Sequence, residues 1–165
     1  MNIGTAKITM TPDIQAFLHA MHDGHEVEAE KQSLRNGTAG YIPFINQPKP
    51  VQKLIHRMNA AISAMIGHAD WGYVGLWCNR LPKGGFHVEH NHPKGWMSGI
   101  CYVDVPDSQS GHLKFEDQEI APETGDVVIF DSKTVHSVTE YKGDKPRLVV
   151  AFDLLPVQMP KKNEK

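Results

Sequence analysis

The feature that most constrains the fold of this chain is a change in sequence pattern after Trp71. Beyond this residue, short runs rich in β-branched and aromatic residues are separated by Gly, Pro and Asp. The predicted strands are Tyr73 to Asn79, Phe86 to His92, Trp96 to Val105, His112 to Phe115, Asp126 to Phe130, Val135 to Tyr141 and Arg147 to Leu155. Closely spaced short strands of this kind are typical of a sandwich or jelly roll. We therefore predict a mainly β fold.

Two helices are predicted ahead of these strands. The first begins at Thr11-Pro12-Asp13, where Pro suits the first helical turn, and it ends near Gly24. The second is an apolar stripe from Val51 to Ile66 that Gly67 terminates. Between the helices, the segment from Glu26 to Pro50 is rich in Gly and Pro, so we expect a loop with one short strand. The expected architecture is a jelly roll with two N-terminal helices.

The length of 165 residues suits one domain with a substantial core. Residues 1–70 are expected to form helical and loop support, residues 71–156 the β core, and residues 157–165 a flexible tail. The 17 basic and 19 acidic residues are scattered, which argues against a nucleic-acid surface. No apolar run has the length of a membrane span, and Cys78 and Cys101 lie in apolar runs typical of reduced thiols. We expect a cytoplasmic protein that binds neither nucleic acid nor membrane, and the oligomeric state stays open.

Three histidines form a candidate metal site. His90 and His92 are two apart in a predicted strand, so their side chains point to the same face. His136 follows a later strand and can supply a third ligand. Neutral imidazole is a common ligand for iron, zinc, copper and nickel. The remaining histidines outside this cluster lack such paired spacing, and we expect ordinary surface or capping roles for them: His19, His22, His25, His56, His68 and His112.

A second register is available within the same strand. His87 and Glu89 would supply a histidine and a carboxylate, and strand alternation prevents both pairs from facing inward unless a bulge intervenes. We prefer His90 and His92 because Pro93 ends the strand directly after them, at the mouth of a barrel. Glu89 remains the alternative source of the second ligand.

Arg147 is the second candidate functional group. It opens the last predicted strand, eleven residues beyond His136. A fixed cation near a metal indicates an acidic cosubstrate.

The stretch from about Trp77 to Leu155 resembles the 2-oxoglutarate/Fe(II)-dependent dioxygenases, particularly the prolyl 4-hydroxylase-like superfamily and its small bacterial and phage relatives. The resemblance rests on His90-Asn91-His92-Pro93, Ser98 to Val103, Gly111 to Phe115, Pro122 to Asp126, Phe130-Asp131, His136 and Arg147. It implies a double-stranded β-helix in which His90, His92 and His136 hold Fe(II). It also implies that Arg147 binds the distal carboxylate of the cosubstrate 2-oxoglutarate, with His87, Tyr102 and Ser98 as further cosubstrate contacts.

The chain departs from this family at two positions. The usual pattern has Asp or Glu where this chain has His92, and three neutral ligands leave Fe(II) with its full double charge. This should strengthen the hold on an anionic cosubstrate, and the large imidazole at this position disfavours halogenation. Val149 stands where many members have Ser, so one hydrogen bond to the distal carboxylate must come from elsewhere.

The predicted function is oxygenation, with hydroxylation of a small molecule or a protein side chain as the expected reaction and O2 as the co-reactant. The first alternative is a cupin-like three-histidine metalloenzyme, a dioxygenase or isomerase that does not use 2-oxoglutarate. The second alternative is a non-catalytic binding barrel. Arg147 distinguishes the 2-oxoglutarate-dependent oxygenase from the two alternatives, because only the oxygenase requires a cation in the pocket.

Overall fold

Two helices and two antiparallel sheets make up the protein. The computed structural model describes residues 2–28 and 30–157. The helices are α1 (Pro12–Ala20) and α2 (Lys49–Ile66). The strands in the described residues are β1 (Gly4–Lys7), β2 (Leu34–Arg35), β3 (Thr38–Tyr41), β4 (Trp71–Leu81), β5 (Phe86–His90), β6 (Met97–Asp104), β7 (Leu113–Lys114), β8 (Glu119–Ile120), β9 (Asp126–Asp131), β10 (His136–Val138) and β11 (Arg147–Pro156). The prediction of a mainly β protein with two helices is confirmed.

The strands pair into a larger and a smaller sheet. The larger sheet has the order β1-β9-β6-β11-β4-β3, and the smaller has the order β2-β5-β10-β7-β8. One apolar cluster joins residues of both sheets, including Leu113 and Val138 from the smaller and Phe130 and Val149 from the larger. The two sheets therefore face each other across a shared core.

A second apolar core lies between the larger sheet and the helices. Residues of α1 and α2 pack there against alternate residues of β11: Leu148, Val150, Phe152 and Leu154. The intervening residues of β11 line a cavity on the opposite face: Arg147, Val149, Ala151 and Asp153. Because successive side chains of a strand alternate, this one strand supplies the helix-facing core and the functional face together.

The two helices follow the predicted pattern, with one difference. In α2 the buried residues repeat at helical spacing, and Gly67 ends the helix in the left-handed region with φ of 94°. Helix α1 ends at Ala20, before the predicted end at Gly24, because residues 21–24 form turns. His22 in this turn is 2% exposed, so the surface or capping role expected for it was wrong. Its ring nitrogens contact Thr38 Oγ1 at 2.7 Å and Cys78 Sγ at 3.4 Å.

Several short strands were not predicted. The segment 26–50 contains two strands, β2 and β3, where one was expected, and β1 and β8 were missed. The predicted tail at residues 158–165 lies outside the described residues, and the single-domain organisation stays a prediction. No helix within residues 2–28 and 30–157 is long and apolar enough to cross a membrane. The cytoplasmic location also stays a prediction.

Candidate metal centre

A bulge in β5 allows His87 and His90, which are three residues apart, to line the same cavity. His136 pairs with His90 and Val138 pairs with His87, so two steps along β10 correspond to three along β5. The extra residue interrupts the alternation of side chains, and His87 and His90 both line the same cavity. Glu89 is exposed and contributes to no metal-ligating group among the described residues. The geometry therefore favours the histidine register over the one that uses Glu89.

The structure brings together the three histidines that the sequence singled out. One potential ligand atom from each of His90, His92 and His136 lies within 4.8 Å of the other two. His90 ends β5, His136 begins β10 directly opposite, and the backbone N–H of His92 donates to Ser132 O at 2.7 Å. This last bond fixes the segment after β5, so that His92 turns back toward the other two rings.

The hydrogen bonds of the three rings leave the same nitrogen free on each. His90 Nδ1 lies 2.7 Å from Val88 O, and His136 Nδ1 lies 2.9 Å from Thr134 O. His92 Nδ1 lies 2.8 Å and 3.1 Å from the two carboxylate oxygens of Asp153. Each Nδ1 must carry the proton to donate to these acceptors, so each Nε2 keeps its lone pair. Metal-ligating histidines are oriented by bonds of this kind.

Burial favours the neutral form of two of these imidazoles, those of His90 and His136. His136 is 5% exposed, and burial lowers its pKa to about 4. Burial also lowers the pKa of His90. Three imidazole nitrogens that lie within 4.8 Å of one another suit a divalent transition metal such as Fe(II), so the residues present fit the ion that the motifs imply.

Arg147 lies in the same cavity without an acidic partner. It is 2% exposed, and its Nη1 donates to Gly111 O at 2.5 Å. Its Nε has no hydrogen-bond partner, and no carboxylate of the described chain forms an ion pair with it. Burial lowers the pKa of its guanidinium, and its Cζ lies 5.6 Å from the ring centroid of Tyr102. A buried cation without a counter-charge is costly, so this site fits an anionic ligand.

The cavity that joins Arg147 to the histidines has a volume of about 790 Å³. His87 lines it, and burial lowers the pKa of that ring to about 3, which leaves it neutral. Its Nδ1 lies 3.1 Å from Ser33 Oγ. Trp77 stacks on His92 at the open side, with ring centroids 6.2 Å apart and planes 13° apart. The cavity has room for a small acid next to the histidines and for part of a substrate.

The two weaker cosubstrate candidates differ in their surroundings. Tyr102 is fully buried beside Arg147, its hydroxyl has no partner in the described chain, and burial raises its pKa to about 12. The Ser98 hydroxyl, in contrast, donates to Asp153 Oδ1 at 2.6 Å. Its single hydrogen is therefore already engaged, which reduces what Ser98 can offer a cosubstrate.

Two polar residues at this site were not predicted from the sequence. Asn79, on β4, is 5% exposed, lines the cavity, and its side-chain oxygen has no partner within the described residues. Asp153, on β11, accepts the hydrogen bonds from His92 and Ser98. Each follows directly after apolar residues of its strand, Asn79 after Cys78 and Asp153 after Phe152, and that signal is present in the sequence.

Buried neutral histidines predict a loss of stability in mild acid. Burial holds the pKa of His22 and His136 near 4, below the ordinary value of 6.5. Between these values the unfolded chain binds more protons than the folded one, so the free energy of unfolding should fall as the pH is lowered. The fall should approach about 1.4 kcal/mol per pH unit for each such histidine.

Urea unfolding of the metal-free protein at several pH values between 7 and 4 measures this slope. A His22→Gln variant should show a smaller slope, whereas a variant at the exposed His56 should match the wild type. Equal slopes in all three proteins would contradict the prediction.

This geometry agrees with the similarity of the chain to a known protein family. A family model described as "Putative 2OG-Fe(II) oxygenase" matches residues 75–121 and 115–153, which run from β4 to β11. No curated protein matches the chain significantly.

Solved structures with the same fold include several enzymes. A prolyl-4-hydroxylase from Pseudomonas putida is 17% identical, with a TM-score of 0.66 over 95% of this chain and 93% of that one. The viral collagen prolyl hydroxylase from Paramecium Bursaria Chlorella virus-1, in a 2-oxoglutarate complex, is 12% identical, with a TM-score of 0.71 over 93% and 96%. HygX from Streptomyces hygroscopicus, with nickel and 2-oxoglutarate bound, is 9% identical, with a TM-score of 0.67 over 93% and 82%. The resemblance indicated by the sequence motifs is confirmed.

Proposed function

We propose that this chain is a 2OG-Fe(II) oxygenase, a hydroxylase that holds Fe(II) on His90, His92 and His136. Fe(II) and 2-oxoglutarate are the cofactor and cosubstrate of this family, and the prediction of an enzyme of this class is confirmed. We also propose that the two facing sheets form a double-stranded β-helix.

One observation carries the proposal: the buried guanidinium of Arg147 faces the same cavity as the three histidines. A site that binds only a metal does not need a buried cation. A barrel that binds no metal does not need three clustered imidazole nitrogens. A small dicarboxylic acid satisfies both ends of the cavity. Arg147 would bind one carboxylate of this acid, and the histidines would hold the metal that its 2-oxo acid end requires.

The side chains around Arg147 complete the proposed cosubstrate site. The hydroxyl of Tyr102, which has no partner in the described chain, and the amide Nδ2 of Asn79, which lines the cavity, are the donors best placed to bind the distal carboxylate. His87, which is neutral, can donate from its ring to the same ligand. Asn79 or Tyr102 would replace the hydrogen bond that Ser supplies in many family members at the position of Val149.

The three imidazoles would determine where in the cavity the reaction takes place. His90, His92 and His136 would hold Fe(II) beside the cavity, and the bound ion would supply O2 activation with 2-oxoglutarate as the electron donor. Trp77 lies roughly parallel to the ring of His92 and lines the same cavity, so it would border a bound substrate. Substrate would enter past Tyr41 and Val74, which are exposed at the rim of the cavity. One structural neighbour is a prolyl hydroxylase from Trichoplax adhaerens in complex with a peptide fragment, and we propose a peptide or a small molecule as the substrate.

A turnover assay tests this function. With Fe(II), O2 and 2-oxoglutarate, the protein should form succinate even without its substrate, and the rate should rise when the correct substrate is added. Omission of Fe(II) or O2 should abolish succinate formation. Tight metal binding with neither succinate formation nor 2-oxoglutarate binding would instead favour the cupin-like alternative, for which the all-histidine ligand set is the supporting observation.

A further inference from the structure

Asp153 differs from the other residues that orient the metal-site histidines. His90 and His136 donate to backbone carbonyls, which carry no net charge. His92 donates to a carboxylate, with 2.8 Å and 3.1 Å from Nδ1 to the two oxygens of Asp153. Among these three histidines of the described chain, only His92 has a side-chain carboxylate as the partner of its Nδ1.

The carboxylate of Asp153 is itself held in place. Ser98 lies opposite Asp153 in the pairing of β6 with β11, and its hydroxyl donates to Asp153 Oδ1 at 2.6 Å. Since that hydroxyl has only one hydrogen, Ser132 must be the donor in the 2.8 Å contact between the two serine hydroxyls. The chain of donors therefore runs from Ser132 to Ser98 to Asp153. Both serines are buried, so this arrangement is rigid.

Close packing around Ser132 supports the same arrangement. A Cβ atom added to Gly95 would lie 2.5 Å from Ser132 Oγ, so only glycine lets this hydroxyl sit where it does. The backbone carbonyl of Ser132 also accepts the backbone N–H of His92. The segment after β5, the end of β9, β6 and β11 thus meet at the His92–Asp153 pair.

Building on the proposed metal site, we propose that Asp153 is a positioning residue that returns, through His92, the negative charge missing from the ligand set. The usual family pattern has a carboxylate at the position of His92. Here the imidazole occupies that position, and the carboxylate lies directly behind it. Asp153 holds His92 in the tautomer that presents Nε2 to the metal and raises the basicity of that nitrogen. In this arrangement the carboxylate acts on the metal through the ring of His92, whereas in the usual family pattern the carboxylate itself is the ligand.

The first test is Co(II) binding, by calorimetry, to the protein without iron. Asp153→Asn keeps the size of the side chain and one acceptor oxygen but removes the charge. Its affinity for Co(II) should fall about 10–100-fold, the usual effect of losing an outer partner of a ligating histidine. Asp131→Asn is the matched control, because Asp131 is exposed at the end of β9 and bonds the backbone N–H of Lys133. Its affinity should equal that of the wild type.

The second test separates an effect through His92 from a general weakening of the fold. In the Co(II) protein, each ligating imidazole N–H gives a strongly shifted, exchangeable proton signal. Asp153→Asn should move or remove one of three such signals and leave the other two unchanged. Ser98→Ala should change the same signal less, which provides a second variant if Asp153→Asn folds poorly.

A double-mutant cycle completes the design. In a His92→Ala background, adding Asp153→Asn should have little further effect on Co(II) affinity, because Asp153 acts through the missing ring. Equal losses in the two backgrounds, or unchanged affinity and proton signals in Asp153→Asn, overturn the inference while the metal site stands. Failure of the wild type to bind Co(II) would instead remove the proposed function on which the inference rests.

Discussion

Arg147→Lys is expected to weaken 2-oxoglutarate binding more than tenfold while leaving metal affinity nearly unchanged. The Arg147 guanidinium donates to Gly111 O and still has nitrogens available for a carboxylate. A lysine ammonium lacks the planar fork that can serve both acceptors in this geometry. Disrupting such a buried, charge-assisted pair costs about 2–5 kcal/mol, which exceeds a factor of ten in affinity.

The measurement is titration of 2-oxoglutarate into the Co(II) protein, so that no turnover occurs. Arg80→Lys is the matched control, because Arg80 lies on β4 outside the cavity and bonds the backbone oxygens of His19 and His22. That variant should bind 2-oxoglutarate normally. If Arg147→Lys also binds it normally, the strongest reason for placing the cosubstrate beside Arg147 is removed.

The second large effect is expected for His136→Leu, which should lose metal binding. Leucine has no ligating atom but fills much of the space of the imidazole, which packs against Phe130 with ring centroids 4.6 Å apart. Removing an outer partner of a ligand already costs about 10–100-fold in metal affinity, so loss of a ligand itself should cost at least about a hundredfold. Calorimetry with Co(II) and metal analysis after dialysis both measure this.

The control for His136→Leu is His112→Leu. His112 bonds Glu119 and the backbone oxygen of Ser108, away from the cavity. That variant should keep one Co(II) per chain. Retention of stoichiometric metal by His136→Leu, with the fold intact by circular dichroism, would sink the three-histidine site.

The parts of the fold that could be predicted are those written into local sequence. The apolar stripe of α2 repeats at helical spacing, and the long strands β4, β6, β9 and β11 are continuous runs of strand-forming residues. Strands β2 and β8 have two residues each, too few to produce a periodic pattern. They exist because β5 and β7 provide pairing partners for them. Such strands depend on tertiary pairing, which composition does not encode.

The same distinction applies to the candidate site. His90 and His92 are near neighbours in the chain, and their two-residue spacing by itself indicates a shared face. Asp153 lies 61 residues beyond His92, and only the packing of β11 beside the end of β5 brings them together. The sequence of β5 is compatible with a bulge, but whether one forms depends on how β10 pairs with it. Local spacing therefore predicts candidate ligands, and tertiary pairing determines what supports them.

The alternation along β11 constrains how this protein can change in length during evolution. Arg147 and Asp153 lie on one strand and on one face, separated by residues that alternate with the helix-facing core. Inserting or deleting a single residue between them would turn one of the two charged side chains into that apolar core, where an unpaired charge is costly. Apolar substitutions along β11 are tolerable as long as volume is kept. The proposed cosubstrate end and the proposed metal end of the site should therefore be inherited together, as one segment of fixed length.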